Sequence, residues 1–250
     1  MGSEPFYLSS GFWQGAAAVA AIILSQLPPI KLWFRRPRLS VEAYERIALT
    51  EEVGHPAAQW HLSISNIGNR NVRIRKLTLI MRRDGEERAF DGRGYFVNPQ
   101  DPQPTLLTPF TLGTQDTWGH NINFFKLASR DARQTYARIS KALRDDLSAK
   151  LKARGENGPA VEGDPALVQP FLDMWDAGWF WRHGEYDLEL KIETDFPEAD
   201  VVAKFRMTLF EGDSDFLRAR RDVMKLGIGT AWPHRETNFH FIDVVSIPKN

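Results

Sequence analysis

Residues 185–193 read Glu-Tyr-Asp-Leu-Glu-Leu-Lys-Ile-Glu, and their strict alternation decides the expected fold class. The even positions of this stretch are apolar, and the odd positions are all charged. Because successive side chains of a β-strand point to opposite faces, the pattern predicts a strand with one buried face. We therefore expect a protein that is mainly β.

A second strand is predicted at residues 203–209, where apolar residues alternate with Lys204, Arg206 and Thr208. Its outward face is basic, whereas the outward face of residues 185–193 is acidic. Pairs of opposite charge across two strands stabilise an antiparallel hairpin and set its register. The two stretches are therefore expected to pair with each other.

Further strands are predicted upstream and downstream of this hairpin. Residues 60–65 alternate, and residues 72–81 alternate with a change of phase at Arg75-Lys76 that requires a bulge or a bend. Asp84-Gly85 is typical of a tight hairpin turn. A last strand is expected at residues 238–247.

Three helices are predicted from apolar spacing and from capping residues. The first begins after Ser129 and runs to Gly155, and the second is opened by Asp164-Pro165 and ends near Gly178. The third covers residues 214–226 and is closed by Gly227. The first two helices form a helical insertion at about residues 126–178.

The motif Gly184-x-Tyr186-x-Leu188-x-Leu190 resembles the penultimate strand of immunoglobulin-like and fibronectin type III-like domains, in which a tyrosine ties a loop to the strand. The turn Asn66-x-Gly68 is similar to the B–C region of such domains. The resemblance covers residues 44–125 and 185–210, and the chain departs from it in having no cysteine. It implies an antiparallel β-sandwich with inserted helices, and it implies no activity.

A transmembrane helix is predicted at the N-terminus, ahead of the sandwich. Residues 8–27 carry no charged side chain and make a helix of roughly 30 Å, the thickness of a bilayer core. Pro28-Pro29 ends this segment, and a group of basic residues follows: Lys31, Arg35, Arg36 and Arg38. Basic residues stay on the cytosolic side, so the N-terminus is expected outside and the remainder in the cytosol.

The expected domains are thus a single-pass membrane anchor, residues 1–38, and a cytosolic domain, residues 39–250. Two alternatives to the anchor remain open, namely a cleaved signal peptide and a buried core helix. Four small residues of the predicted span have the spacing that lets two helices approach closely: Gly11, Gly15, Ala16 and Ala20. They indicate a possible homo-oligomer, although an alanine-rich helix also produces this spacing by chance.

Composition excludes several classes of function. Thirty-two basic residues balance 32 acidic residues, which argues against a nucleic-acid binder. The absence of cysteine excludes disulfides and thiol nucleophiles, and none of the six histidines has metal-ligand spacing. Because no motif of a nucleophile, a phosphate loop or a cofactor fold is present, we expect no catalytic residue, no metal, no cofactor and no enzymatic activity.

Two groups of residues are candidate binding surfaces. The first is a basic cluster on one predicted strand pair, suited to anionic headgroups or a phosphorylated ligand: Arg70, Arg73, Arg75, Lys76, Arg82 and Arg83. The second is an aromatic group at a helix-to-strand junction that includes Trp175, Trp179 and Trp181. A solvated, self-balanced strand face and a packed core are the alternative interpretations of these two groups.

The expected function is that of a membrane-anchored, non-enzymatic binding or sensor module. Its expected partners are the lipid bilayer and a protein or small anionic ligand. A second hypothesis is a membrane effector, as in bacterial self-sacrifice systems, whose transmembrane helices oligomerise and disrupt the bilayer when the sandwich recognises a trigger. A third is a hydrolase assembled from scattered histidines and carboxylates.

Overall fold

The computed structural model describes Trp13, Gln14, Ala17 and residues 36–98, 100–101, 103–154, 158–232 and 239–248. These residues form ten strands, three α-helices and two short 3₁₀ helices. The strands are β1 (Leu39–Glu52), β2 (His55–Asn66), β3 (Val72–Arg83), β4 (Glu86–Phe96), β5 (Thr105–Leu106), β6 (Phe110–Leu112), β7 (Thr117–Phe125), β8 (Gly184–Thr194), β9 (Val201–Leu209) and β10 (His240–Ile247). The helices are α1 (Arg130–Arg154), α2 (Pro165–Gly178) and α3 (Glu211–Arg218), with 3₁₀ helices at Pro197–Ala199 and Ala219–Leu226.

The strands form one antiparallel sheet that closes on itself. Neighbours follow the order β1, β2, β7, β4, β3, β8, β9 and β10, and β10 pairs again with β1. The expected immunoglobulin-like sandwich is therefore wrong, and the fold is a closed barrel of these strands. The decisive contact is the ladder between β3 and β4, which joins what a sandwich would keep as two separate sheets.

The motif that suggested the sandwich forms its predicted local contact in a different architecture. The Tyr186 hydroxyl lies 2.8 Å from the carbonyl oxygen of Phe180 and 2.7 Å from that of Arg182, so it ties the preceding loop to β8. Burial raises the pKa of Tyr186 to about 12. A tyrosine anchor of this kind secures a loop without determining whether the sheet is open or closed.

Most local predictions are confirmed. β8 and β9 pair antiparallel with Glu189 opposite Lys204. The turn at Asp84-Gly85 has both residues at positive φ, 47° and 81°. The Asp164 carboxylate caps α2 by accepting from the Ala166 amide at 2.8 Å. The third helix differs from the prediction, because it begins at Glu211 and changes from α to 3₁₀ geometry after Arg218.

The inward-facing side chains of the barrel and the helices form one hydrophobic core. The Trp60 ring packs edge-on against Phe205 with ring centroids 4.8 Å apart. At one end, called here the helix end, α1 and α2 add buried side chains such as Leu143, Phe171 and Trp175 to the same core. The opposite end, called the loop end, carries the connections after β2, β4 and β8.

Within the described residues, no helix is both long enough and apolar enough to cross a membrane. The transmembrane part of the expected fold class therefore has no support in the structure. Residues 8–27 lie outside the described residues except for Trp13, Gln14 and Ala17. Gly11, Gly15, Ala16 and Ala20 lie outside them as well.

Candidate functional site

The ladder between β3 and β4 covers only the half of these strands nearer the helix end. It joins Thr78–Arg83 to residues 86–91, and beyond Asp91 the two strands separate. A segment of residues 103–116, called here the bridging segment, fills the opening. Its strand β6 pairs with β3 at Val72–Ile74, and its strand β5 pairs with β4 at Gly94 and Tyr95. The space that remains is enclosed by β3, by β4 and by the bridging segment.

Two β-bulges flank this opening, and each adds one arginine. On β3, Ile74 is opposite Thr194 and Lys76 is opposite Glu193, so Arg75 is the extra residue. On β4, Gly92 is opposite Phe124 and Gly94 is opposite Asn123, which leaves Arg93 as the extra residue. Bulges re-aim side chains and are frequent beside functional sites. The predicted phase change at Arg75-Lys76 is confirmed as the first of these bulges.

Two glycines on β4 let the bridging segment approach closely. A Cβ on Gly92 would lie 3.1 Å from the Leu107 side chain, and a Cβ on Gly94 would lie 3.2 Å from the carbonyl oxygen of Thr105. Both distances are tighter than ordinary contacts, so a side chain at either position would push the segment away. Glycine inside a strand commonly marks such a close approach.

The result is a small concavity of about 210 Å³, called here the β3–β4 cleft. Its walls contain three cationic side chains and one carboxylate, together with apolar residues and a threonine. The lining residues are Ile74, Arg75, Lys76, Leu77, Asp91, Gly92, Arg93, Leu107, Thr108 and Phe110. The cleft therefore carries an excess of positive charge.

Asp91 is the centre of the charge arrangement in the cleft. Its carboxylate accepts from Lys76 Nζ at 2.9 Å and from Arg93 Nη2 at 2.5 Å. Arg75 forms an ion pair with Asp195, which does not line the cleft. Two carboxylates therefore face three cations, and the balance around the cleft remains positive.

Unused donors are left in this arrangement. Arg93 Nε is buried and has no hydrogen-bond partner among the described residues. A buried N–H group without an acceptor costs about 1–3 kcal/mol, more when the group is charged. An acceptor oxygen from outside the chain would remove this cost only after the Arg93 side chain turned Nε toward the cleft.

The cleft is suited to an anionic group bearing oxygen atoms. Guanidinium groups donate two parallel hydrogen bonds to phosphate or carboxylate, and an ammonium group adds a point charge. The volume matches one such group and is too small for a drug-sized ligand, for which pockets measure about 300–1,000 Å³. The rest of a larger ligand would have to lie outside, beside Phe110, whose ring packs on Trp118 with centroids 4.6 Å apart.

The structure divides the predicted basic cluster into separate environments. Arg75 and Lys76 line the cleft, and Arg73 is exposed on the same strand. Arg70 lies over the Phe196 ring at 4.2 Å. Arg82 and Arg83 lie at the helix end of β3 and do not line the cleft.

Arg82 and Arg83 are engaged within the protein. Arg82 donates to Glu87 at 2.6 Å and to Glu189 at 3.0 Å. Hydrogen bonds from Lys191 and Arg82 hold the pKa of Glu189 below its usual range. Arg83 pairs with Asp84 at 3.0 Å. These two cations therefore belong to a self-balanced strand face.

The three predicted tryptophans lie in the core instead of on a surface. Trp175 and Trp181 are at most 1% exposed, and Trp179 is 8% exposed. Trp175 stacks on Trp179 with centroids 5.7 Å apart, and Trp181 Nε1 donates to the carbonyl oxygen of Thr50 at 2.9 Å. Their role in the structure is to join the helices to the barrel.

A histidine–aspartate pair outside the cleft has a structural role. His240 Nε2 lies 2.6 Å from Asp213 Oδ1, and the other Asp213 oxygen accepts from the Phe210 amide at the start of α3. This pair therefore fixes the helix to β10. In the part of the chain that the structure describes, no group of three or more histidines and carboxylates is arranged to hold a metal ion.

Asp91 and Arg93 are the cleft residues that sequence reasoning missed. The sequence Asp-Gly-Arg-Gly at residues 91–94 contains no binding motif, and its two glycines are typical of a loop. Glycines on both sides of a charged residue, next to the apolar Phe90 and Tyr95, are the available signal of a bulged strand. Residues 91–94 lie near Arg75 only because the barrel is closed, and no local sequence pattern indicates that closure.

Comparison with protein-family models and with curated proteins gave no match for this chain.

Proposed function

We propose that the barrel is a non-enzymatic binding module whose β3–β4 cleft holds the phosphate group of a small ligand. The observation that carries this proposal is the pair of bulges at Arg75 and Arg93, which bring two guanidinium groups to one cleft. One bulge is an ordinary feature of a barrel. Two bulges that each add an arginine at the same opening favour a common ligand.

The charge distribution supports an anion over a neutral ligand. On the outer face of β3, β8 and β9 away from the cleft, ion pairs such as Arg82 with Glu189 and Arg206 with Asp187 bring opposite charges together. Arg93, which lines the cleft, has a buried Nε without an acceptor among the residues that the structure describes. A phosphate group compensates the excess positive charge, and it can accept from Nε once the Arg93 side chain turns that atom toward the cleft.

Binding can be measured on the full-length chain by isothermal titration calorimetry at low ionic strength. The probes are inorganic phosphate, adenosine 5′-monophosphate, and neutral-lipid vesicles with or without phosphatidylinositol 4-phosphate. The soluble probes and the vesicles distinguish a free phosphorylated ligand from a lipid headgroup. A phosphate-bearing probe is expected to bind, more weakly as salt is added, because exposed charges are screened.

The variants Arg93→Gln and Arg75→Gln are each expected to weaken that binding about tenfold or more, since each removes a charge-assisted hydrogen bond. Arg82→Gln is the matched control, because Arg82 is an arginine of β3 outside the cleft, and its affinity should stay within about twofold of the wild type. The proposal is wrong if no phosphate-bearing probe binds, or if the two cleft variants bind as tightly as the wild type.

The membrane location is a separate prediction, and the cleft does not depend on it. Location at a membrane, a cytosolic barrel and self-association through Gly11 and Gly15 stay predictions, as does the effector hypothesis. Protease protection of the C-terminal domain in sealed cells tests the orientation. Digestion by protease added from outside would contradict it.

A further inference from the structure

A second concave surface lies on the outer face of β2 and β7, on the other side of β4 from the β3–β4 cleft. Its side chains form an uncharged ladder, in which Gln59 is opposite Asn123 and His61 is opposite Asn121. Farther along, Ser65 is opposite Thr117. The outer face of β3, β8 and β9 carries ion pairs instead, so the two sides of the barrel differ in chemistry.

Each pair of the ladder is joined by one hydrogen bond and keeps other groups unused. Gln59 Nε2 donates to Asn123 Oδ1 at 2.9 Å, which leaves the Gln59 oxygen and the Asn123 amino group. The His61 Nδ1 and Asn121 Oδ1 atoms lie 2.9 Å apart. This contact leaves the Asn121 amino group as a donor.

The ladder borders a groove of about 590 Å³. The amides of Gln59, Asn121 and Asn123 line it together with three half-buried phenylalanines, Phe96, Phe125 and Phe239. Gly119 continues the surface without a side chain, and a Cβ there would meet only the His61 ring, at 3.9 Å. The groove therefore combines alternating donors and acceptors with apolar ring surface.

The charge of the groove disfavours an anionic ligand. The charged side chains in its walls are Glu52, Asp101 and Lys126, and His55 lines it as well. Two carboxylates against one ammonium give a slightly negative surface, the opposite of the β3–β4 cleft. A phosphorylated ligand would be repelled here, while a neutral ligand would not be.

Backbone pairing disfavours an extended peptide. β2 is hydrogen-bonded to β1 on one side and to β7 on the other, and β7 is paired in turn with β4. A peptide that binds by adding a strand needs an unpaired edge. In this part of the barrel the described strands have partners on both sides, so a peptide could contact their outer face but could not add a strand.

We infer that this groove binds a neutral saccharide. Each sugar hydroxyl both donates and accepts, which matches the unused amide groups of Gln59, Asn121 and Asn123. The apolar faces of sugar rings can pack on Phe96 or Phe125, as ligands do in pockets lined by aromatic rings and a few polar groups. This site is distinct from the anion site proposed above and does not rest on it.

Calorimetric titration of the full-length chain with maltose, cellobiose and N,N′-diacetylchitobiose tests the inference. At least one of them is expected to bind with a Kd on the order of 1 mM. Asn123→Leu and Asn121→Leu should each weaken binding tenfold or more, while Ser65→Ala, on the same face but outside the groove, should have no effect. Thermal melts of all variants check that the fold is kept.

Adenosine and triglycine are the competing probes, because amides and aromatic rings also recognise bases and peptides. Binding of either one in the groove without binding of any of the three saccharides overturns the inference. Absence of saccharide binding by the wild type overturns it equally. Saccharide binding that both leucine variants retain would place the sugar elsewhere and would also contradict it.

Discussion

Glu51 is the residue with the most unusual environment in the barrel. It lies on β1 at the helix end, has no solvent exposure, and neither carboxylate oxygen has a hydrogen-bond partner among the described residues. Burial raises its pKa well above the ordinary value, and the charges of Arg88 and Arg220 offset this only in part. A buried carboxyl without partners favours the protonated form.

We expect Glu51→Gln to stabilise the protein at pH 7. The folded state retains a proton on Glu51 that the unfolded state releases above about pH 4.3, so Glu51 lowers the free energy of unfolding as the pH rises through that window. The substitution removes this penalty, so the free energy of unfolding at pH 7 should be higher in the variant than in the wild type. Urea denaturation at pH 4 and pH 7 measures it.

The two pH values separate a titration effect from a packing effect. At pH 4 glutamic acid is largely protonated in both states, so the difference between the variant and the wild type should shrink. Glu52→Gln is the control at an exposed neighbouring position and should change stability by less than about 0.5 kcal/mol. A Glu51→Gln protein that is less stable than the wild type at pH 7 would contradict the prediction.

Among the elements, the β1–β2 turn and α2 approach each other closely, with backbone against backbone at Gly54 and Gly178. The turn residues Val53 and Gly54 have positive φ angles of 41° and 76°. A Cβ on Gly178, the last residue of α2, would lie 2.0 Å from the carbonyl oxygen of Gly54. Glycine at position 178 is therefore required by space.

Gly178→Ala is expected to destabilise the protein by about 2–3 kcal/mol, because overpacking displaces backbone that has no flexible end to move. Gly212→Ala is the matched control in α3, where a Cβ meets nothing within 4 Å. That control should be stabilised by about 0.5–1 kcal/mol through helix propensity. Thermal melts of both variants should shift in opposite directions, and equal shifts would contradict the assignment.

The three helices and six of the ten described strands were predictable from the sequence, whereas β1, β5, β6 and β7 were not predicted. β8 alternates at residues 185–193 and β9 at residues 203–209, and the caps at Ser129 and Asp164 are local hydrogen bonds between neighbours in the chain. The bulge at Arg75 also followed from a change of phase. The bulge at Arg93 could not be predicted in this way. The preceding part of β4, residues 86–90, is too short to show a clear alternation, and the glycines on both sides of Arg93 have no side chain that would indicate a buried or an exposed face.

At the scale of the whole molecule, closure of the barrel could not be predicted. A strand with one buried face has the same alternation in a sandwich and in a barrel. What distinguishes them here is the ladder between β3 and β4, together with the pairing of β1 with β10, almost 200 residues away: Arg46 is opposite Asp243. The cleft could not be predicted either, because it exists only where β3 and β4 of the closed barrel separate.

The helices and the barrel share one core, so they are expected to unfold together. Trp175 of α2 is 1% exposed and belongs to the same packed cluster as Trp60 of β2 and Leu190 of β8. Trp175→Ala should therefore lower the stability of the entire domain by about 3–5 kcal/mol. The melt should remain a single transition at a lower temperature, with coincident far-ultraviolet and near-ultraviolet circular dichroism curves.

Leu127→Ala provides the comparison, because Leu127 is 55% exposed in the connection between β7 and α1. It should change the free energy of unfolding by no more than about 0.5 kcal/mol. If α1 and α2 were an accessory layer on an independent barrel, Trp175→Ala would separate the melt into an early loss of helix signal and a later transition at the wild-type temperature. A shared core predicts one shifted transition, since removing Trp175 leaves a cavity that both layers line.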